Sequence, residues 1–239
     1  MLSVTADFFG RVRTRDVRGG VAAGRVTARR LTAFPAGRSI AAMTAASRDD
    51  QGAAGRGRGD SPADAGPWPA RAREAGADGA CELDAGGIVF GDWVRLKCRY
   101  GCPDFGRRLS CPPYTPPLEE LGAAFAGYSR ALLVWVEVDG AGEEPAARRR
   151  LHEALLDLER AAFVGGHHKA LALGVGPCVW CGDEPCPADG SCRRRERLRP
   201  SLSGCGIDVF ATAAGAGVEL QVAADERAAV KLLGLLLIE

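Results

Sequence analysis

The chain has 239 residues, 46% of them hydrophobic, enough to bury the core of one ordinary domain with sequence to spare. A net charge of +1 gives no global pull toward nucleic acid, and the longest apolar run, Leu232–Ile238, is far too short to span a bilayer. Arginine outnumbers lysine 28 to 3 while Ala and Gly abound, a pattern of GC-rich coding that carries no functional weight.

Thirteen arginines against seven acids fall in residues 1–75, leaving the remainder mildly acidic. Residues 1–68 contain Gly19-Gly20, Arg56-Gly-Arg-Gly-Asp60 and Ser61-Pro62 with little apolar periodicity, and read as a disordered Arg/Ala/Gly-rich extension. A solvated tail, or an over-extended start with Met43 as a later one, is preferred there to an arm for nucleic acid or an acidic partner. No basic start, long apolar run and small-residue cleavage site opens the chain, so the expected location is the cytoplasm.

From Trp68 the pattern becomes foldable, and 69–239 reads as one cysteine-rich domain. A short helix is predicted over Pro69–Ala75, then strands at Cys81–Asp84 and Ile88–Phe90 around Gly86-Gly87. The first cysteines then fall in a Gly/Pro-rich loop. Pro116-Pro117 opens a helix through Ala126, because proline suits a first turn and Leu118, Leu121 and Phe125 repeat at helical spacing. Ala131–Val138 is the clearest strand. Leu151, Leu155, Leu158 and Ala162 mark one face of a helix over Ala146–Val164 that Gly165-Gly166 ends. A buried strand at Lys169–Gly174, a helix at Ser201–Ala214 and strands near Val218–Gln221 and Leu232–Ile238 complete an α+β fold, a mixed sheet with packed helices and two cysteine-rich metal-binding loops.

All nine cysteines lie between Cys81 and Cys205, an odd number that cannot pair completely, and a reducing compartment favours metal ligation over disulfides. Cys178-x2-Cys181-x4-Cys186-x5-Cys192 puts four thiols on one short loop. Zinc ribbons separate their two knuckles by a longer hairpin, and a compact run with a proline beside a ligand, here Cys186-Pro187, favours a four-iron 4Fe–4S cluster over zinc. Cys98-x3-Cys102-x8-Cys111 supplies three thiols, so a second metal site is either open or closed by Cys205 or Cys81. Both of those also read as plain core cysteines.

The remaining motifs are weaker. His167-His168 and His152 read as surface or boundary histidines rather than ligands. Gly174-Val-Gly176-Pro177 reads as a tight turn delivering Cys178. Arg107-Arg108 and the arginines from Arg193 to Arg199 flank the thiols, where they either lower thiol pKa values or form a solvated basic face.

Lys97-Cys98-Arg-Tyr-Gly-Cys102-Pro-Asp-Phe-Gly106, Ser110-Cys111-Pro-Pro-Tyr114, Leu171 to Cys178, Arg199-Pro-Ser201 and Cys205 to Phe210 resemble motifs of the domain-of-unknown-function family 2284, cysteine-rich proteins expected to bind metal. The resemblance covers about residues 70–239, leaves the N-terminal arm without a counterpart, and implies metal of the iron–sulfur kind without naming a reaction. It also makes Cys205 a better fourth ligand than Cys81, since Cys205 sits inside a family-like string. The expectation is an iron–sulfur protein with one or two clusters, passing electrons to, or reductively activating, a redox protein or enzyme whose identity is unknown. The alternative is a zinc-stabilised module that binds protein or nucleic acid without redox activity.

Overall fold

The computed structural model describes residues 4–6, 12–14, 38–39, 68–139, 143–222 and 229–239. Strands β1 (Val4–Ala6) and β2 (Val12–Thr14) pair antiparallel, and β3 (Arg38–Ser39) pairs with β5 (Val89–Phe90). Elsewhere in residues 1–67 the expectation of disorder falls outside the described residues.

From Trp68 the elements run in the order α1 (Trp68–Glu74), β4 (Gly79–Asp84), β5, α2 (Asp92–Gly101), α3 (Leu118–Phe125), β6 (Arg130–Val138), α4 (Glu144–Val164), β7 (Leu171–Leu173), α5 (Val209–Gly215) and β8 (Val230–Leu237). Four strands form one sheet in the order β4-β6-β8-β7. The α+β class stands, but the sheet expected to be mixed is antiparallel throughout. The reason is topological. Helix α4 carries the chain from β6 to β7, which run in the same direction, and β8 returns between them so that they never pair.

Both faces of this sheet are covered, which explains the near-continuous apolar runs of β6 and β8. Leu132, Val134, Val136 and Val138 of β6, with Leu232 and Leu236 of β8, face a core built with Trp68 and Ala72 of α1 and Leu151, Leu155 and Leu158 of α4. The alternate residues Ala131, Leu133, Leu233, Leu235 and Leu237 face a second core with Ile88, Phe90, Leu121, Phe125, Leu202, Cys205 and Ile207. Alternation of side chains along a strand sends each set to one face, so a one-residue slip of β8 would exchange the cores. Cys205 belongs to this second core and Cys81 packs against it.

Three elements differ from the sequence reading. Cys98 is on a helix, α2, where Val94 and Cys98 are buried four residues apart, rather than in a loop. The helix expected from Ser201 begins only at Val209, because Asp208 caps it through Oδ1, which accepts the Ala211 N–H at 3.0 Å. The preceding residues are spent in turns, including Gly206 at φ 75°. Residues 218–221 form no strand.

Candidate metal centre

The first thiol set hangs from the end of α2. Cys98 lies one turn before its end, and Cys102 caps the helix with its N–H on the Cys98 carbonyl at 3.3 Å. A chain of turns then brings Cys111 back: Phe105 N–H to Cys102 O at 3.2 Å, Gly106 N–H to Pro112 O at 2.9 Å, and Cys111 N–H to Arg108 O at 3.0 Å. Arg95, one turn before Cys98, ties α2 to this loop by donating to the carbonyls of Thr115 and Pro116. The Ser201–Cys205 turn closes over the set. Cys98 Sγ lies 3.9 Å from Ser203 O, Cys111 Sγ lies 3.9 Å from Ser201 Oγ, and Thr115 Oγ1 donates to Gly204 O at 2.7 Å. Residue 204 must be glycine for this fit, since a Cβ there would stand 2.6 Å from Ser201 Oγ and 3.1 Å from Ser110 O.

Burial sets the chemistry of these thiols. It pushes Cys98 up to about 12, helped by neighbouring Cys102 and Cys111 and opposed by Arg95. Cys111 rises to about 11 for the same first reason, against hydrogen bonds from Ser110 and Ser201. Cys205, wholly buried, rises to about 12, with Arg95 opposing and Cys111 reinforcing. Cys102 is raised mainly by burial, with backbone N–H groups of Asp104 and Phe105 and the charge of Arg148 pulling it down. Cys98, Cys102, Cys111 and Cys205 therefore form a chain of electrostatic neighbours that is neutral at neutral pH. A cation would draw their protons off, since thiolate is the ligating form.

Cys81 stands apart. It is half-buried on β4 opposite Leu133, and burial alone raises its pKa. Cys205 is a core residue of the second face and also an electrostatic neighbour of Cys111.

The second set centres on Cys178. Its thiol is raised chiefly by burial, and Cys186, Cys181 and Cys192 all reinforce the shift. Cys178 leaves β7 through Gly174, whose parallel bridge to Ser201 and the positive φ of 57° at Gly176 make the turn anticipated from the sequence. Trp180 pins the loop from outside: its Nε1 donates to Arg197 O at 2.8 Å, and Arg149 and Arg197 stack on its ring at 5.4 and 4.9 Å. The Arg194 N–H donates to Cys192 Sγ at 3.4 Å.

The two sets adjoin. Cys178 N–H donates to Ser110 Oγ at 2.9 Å, Cys186 N–H donates to Arg107 O at 2.8 Å, and Arg108 Nη1 donates to Glu184 O at 2.7 Å. Arg108 is buried and also paired with Asp104 at 3.3 Å, and Arg199 is paired with Glu159 of α4 at 2.5 Å. Arg108 and Arg199 are fasteners, whereas Arg107, Arg193, Arg194, Arg195 and Arg197 are exposed, and the cations that lower thiol pKa values are Arg95 and Arg148. Sequence reasoning misses Ser110 and Ser201 as site residues and gives Arg108 a charge role rather than a fastening one, although all three stand in or beside cysteine strings. Nothing in their spacing shows that they bridge segments 68 to 90 residues apart.

Among the described residues, no three His, Cys, Asp or Glu side chains are arranged to hold a metal ion. By residue type, the eight thiols suit a soft, thiolate-loving metal. Of the histidines, only His152 borders a cysteine segment. His152, expected at a boundary, is buried with Nε2 3.1 Å from Val175 O and its ring edge-on to Trp180. His167 stands against Trp68 and Glu239, and His168 is exposed.

Residues 81–238 match the family model described as predicted metal-binding protein (DUF2284). The chain belongs to this family. The family description predicts metal binding and leaves the metal unspecified, and the matched span contains every cysteine of both sets. No curated protein and no solved structure matches the chain. Among the described residues, no helix is long and apolar enough to cross a membrane.

Proposed function

We propose that Cys178, Cys181, Cys186 and Cys192 hold an iron–sulfur cluster of the 4Fe–4S type, and that Cys98, Cys102 and Cys111, with Cys205, form a second metal site. The protein then serves electron transfer to, or reductive activation of, a partner protein or enzyme. The observation that supports this reading is the meeting of the two cysteine segments at Ser110, whose Oγ accepts the Cys178 N–H at 2.9 Å and lies 3.6 Å from Cys111 Sγ. Four-thiolate clusters exchange single electrons over a wide range of potential, set by hydrogen bonds to sulfur and by burial. This chain supplies both: the Arg194 N–H on Cys192, and the Ser110 and Ser201 hydroxyls beside Cys111. Cys205 is preferred to Cys81 as the fourth ligand, a choice that its Cys111 neighbour supports.

Anaerobic purification tests the reading. A brown protein with broad visible absorption and stoichiometric iron and sulfide is expected. A colourless protein that retains zinc would overturn it in favour of a zinc-closed binding module.

A further inference from the structure

We propose that the two thiol sets load metal as one coupled unit, with Ser110 as the positioning residue that couples them. The inference rests on the metal-binding reading above and concerns how one set regulates the other. Residues 178–192 contain no helix or strand, so little besides side-chain and backbone straps holds them in place. Three of those straps run to the four-residue stretch Arg107–Ser110: Cys178 N–H to Ser110 Oγ, Cys186 N–H to Arg107 O, and Arg108 to Glu184 O. The next residue is Cys111, a member of the other set.

Ser110 is the most deeply buried of these links. It is 1% exposed, its Oγ lies 3.6 Å from Cys111 Sγ while accepting from Cys178 at 2.9 Å, and its carbonyl accepts the Ser201 N–H at 2.9 Å. One residue thus touches the first set, the second set and the turn that leads to Cys205. Metal bound by Cys178, Cys181, Cys186 and Cys192 fixes the Cys178 and Cys186 amides and the Glu184 carbonyl. Those groups in turn fix Arg107–Ser110, and the ordering cost of placing Cys111 is then already met. Linkage requires the converse: metal on the first set must tighten the second by the same factor.

The test uses the full-length chain under anaerobic conditions with Co²⁺ alone as probe, whose thiolate charge-transfer bands report binding directly. Cys178→Ser disables the second set, and the remaining cobalt affinity is expected to fall on the order of tenfold below that of the first set in the parent protein. Ser110→Ala in the parent background is expected to produce a similar loss, and in the Cys178→Ser background no further loss. A residue that merely stabilised the fold would weaken both backgrounds equally, so that pattern overturns the coupling role. Cobalt affinity unchanged by Cys178→Ser shows two independent sites and overturns the coupling while leaving metal binding intact. The absence of thiolate–cobalt bands in the parent protein overturns the metal-binding reading itself, and this proposal with it.

Discussion

Lowering the pH from 7 to 4 is expected to remove about 3 kcal/mol of folding stability through His152 alone. The side chain is 4% exposed, and its Nε2–H is committed to the Val175 carbonyl at 3.1 Å, which assigns the proton to that nitrogen. Burial, with a smaller push from the Arg148 charge, brings its pKa down from 6.5 to about 4 against the opposing hydrogen bond to Val175. The unfolded chain takes up a proton near 6.5 and the folded one only near 4, so between these values the unfolded state binds more protons. Stability contributed by the neutral ring is therefore full above 6.5, falls as the pH drops, and levels off below about 4. At about 1.4 kcal/mol per pH unit the gap amounts to about 3 kcal/mol. Urea unfolding midpoints at about pH 7, 5.5 and 4.5 for the parent and for His152→Gln measure it. Glutamine keeps an N–H for Val175 and cannot titrate, while carboxylate effects are common to both proteins. The difference between the two curves should shrink steadily toward pH 4. Parallel curves would refute the argument.

Gly174→Ala drives a Cβ into the buried His152 ring, an overpacking expected to cost about 1–3 kcal/mol, with His152→Ala partly rescuing it in the double variant by denaturant titration. Leu155→Ala empties a 2%-exposed site packed against Gly234 of β8, and calorimetry should show a loss of about 2–5 kcal/mol. Arg150→Ala breaks a two-pronged pair with Asp78 at 2.8 and 2.7 Å that is open to solvent, and the same measurement should show about 1 kcal/mol or less. Stripping metal with a chelator should lower the melting temperature and raise amide exchange in 98–111 and 178–205 before it does so in β6 or β8, because binding free energy there is also folding free energy.

The sheet and its long helix are legible in the sequence because their periodicities are unambiguous. Ala131–Val138 is apolar on both faces, and Leu151, Leu155 and Leu158 recur at helical spacing. The first cysteine segment is harder to place, because Cys98 looks like a loop ligand while it also serves, with Val94, as the apolar face of α2. His152 looks like a boundary residue among Arg149, Arg150 and Glu153, and only the distant Val175–Trp180 segment buries it. Strand order is illegible for a similar reason, since nothing local tells β8 to enter between β6 and β7. The two cysteine sets are separable by spacing, whereas their shared wall at Ser110 depends on hydrogen bonds across 68 residues of chain.

The position of β8 also imposes a timetable. Ala131 pairs with Leu237 and Leu171 with the same residue, so β6 and β7 have no common neighbour until the segment from Val230 onward has been made. All nine cysteines precede that segment. During synthesis every thiol therefore emerges while the middle of the sheet is still missing, and pairings of such long range are slow to form. For that interval the thiols lack the shelter that later buries Cys98, Cys111 and Cys205, and they are open to oxidants and stray cations until β8 is in place.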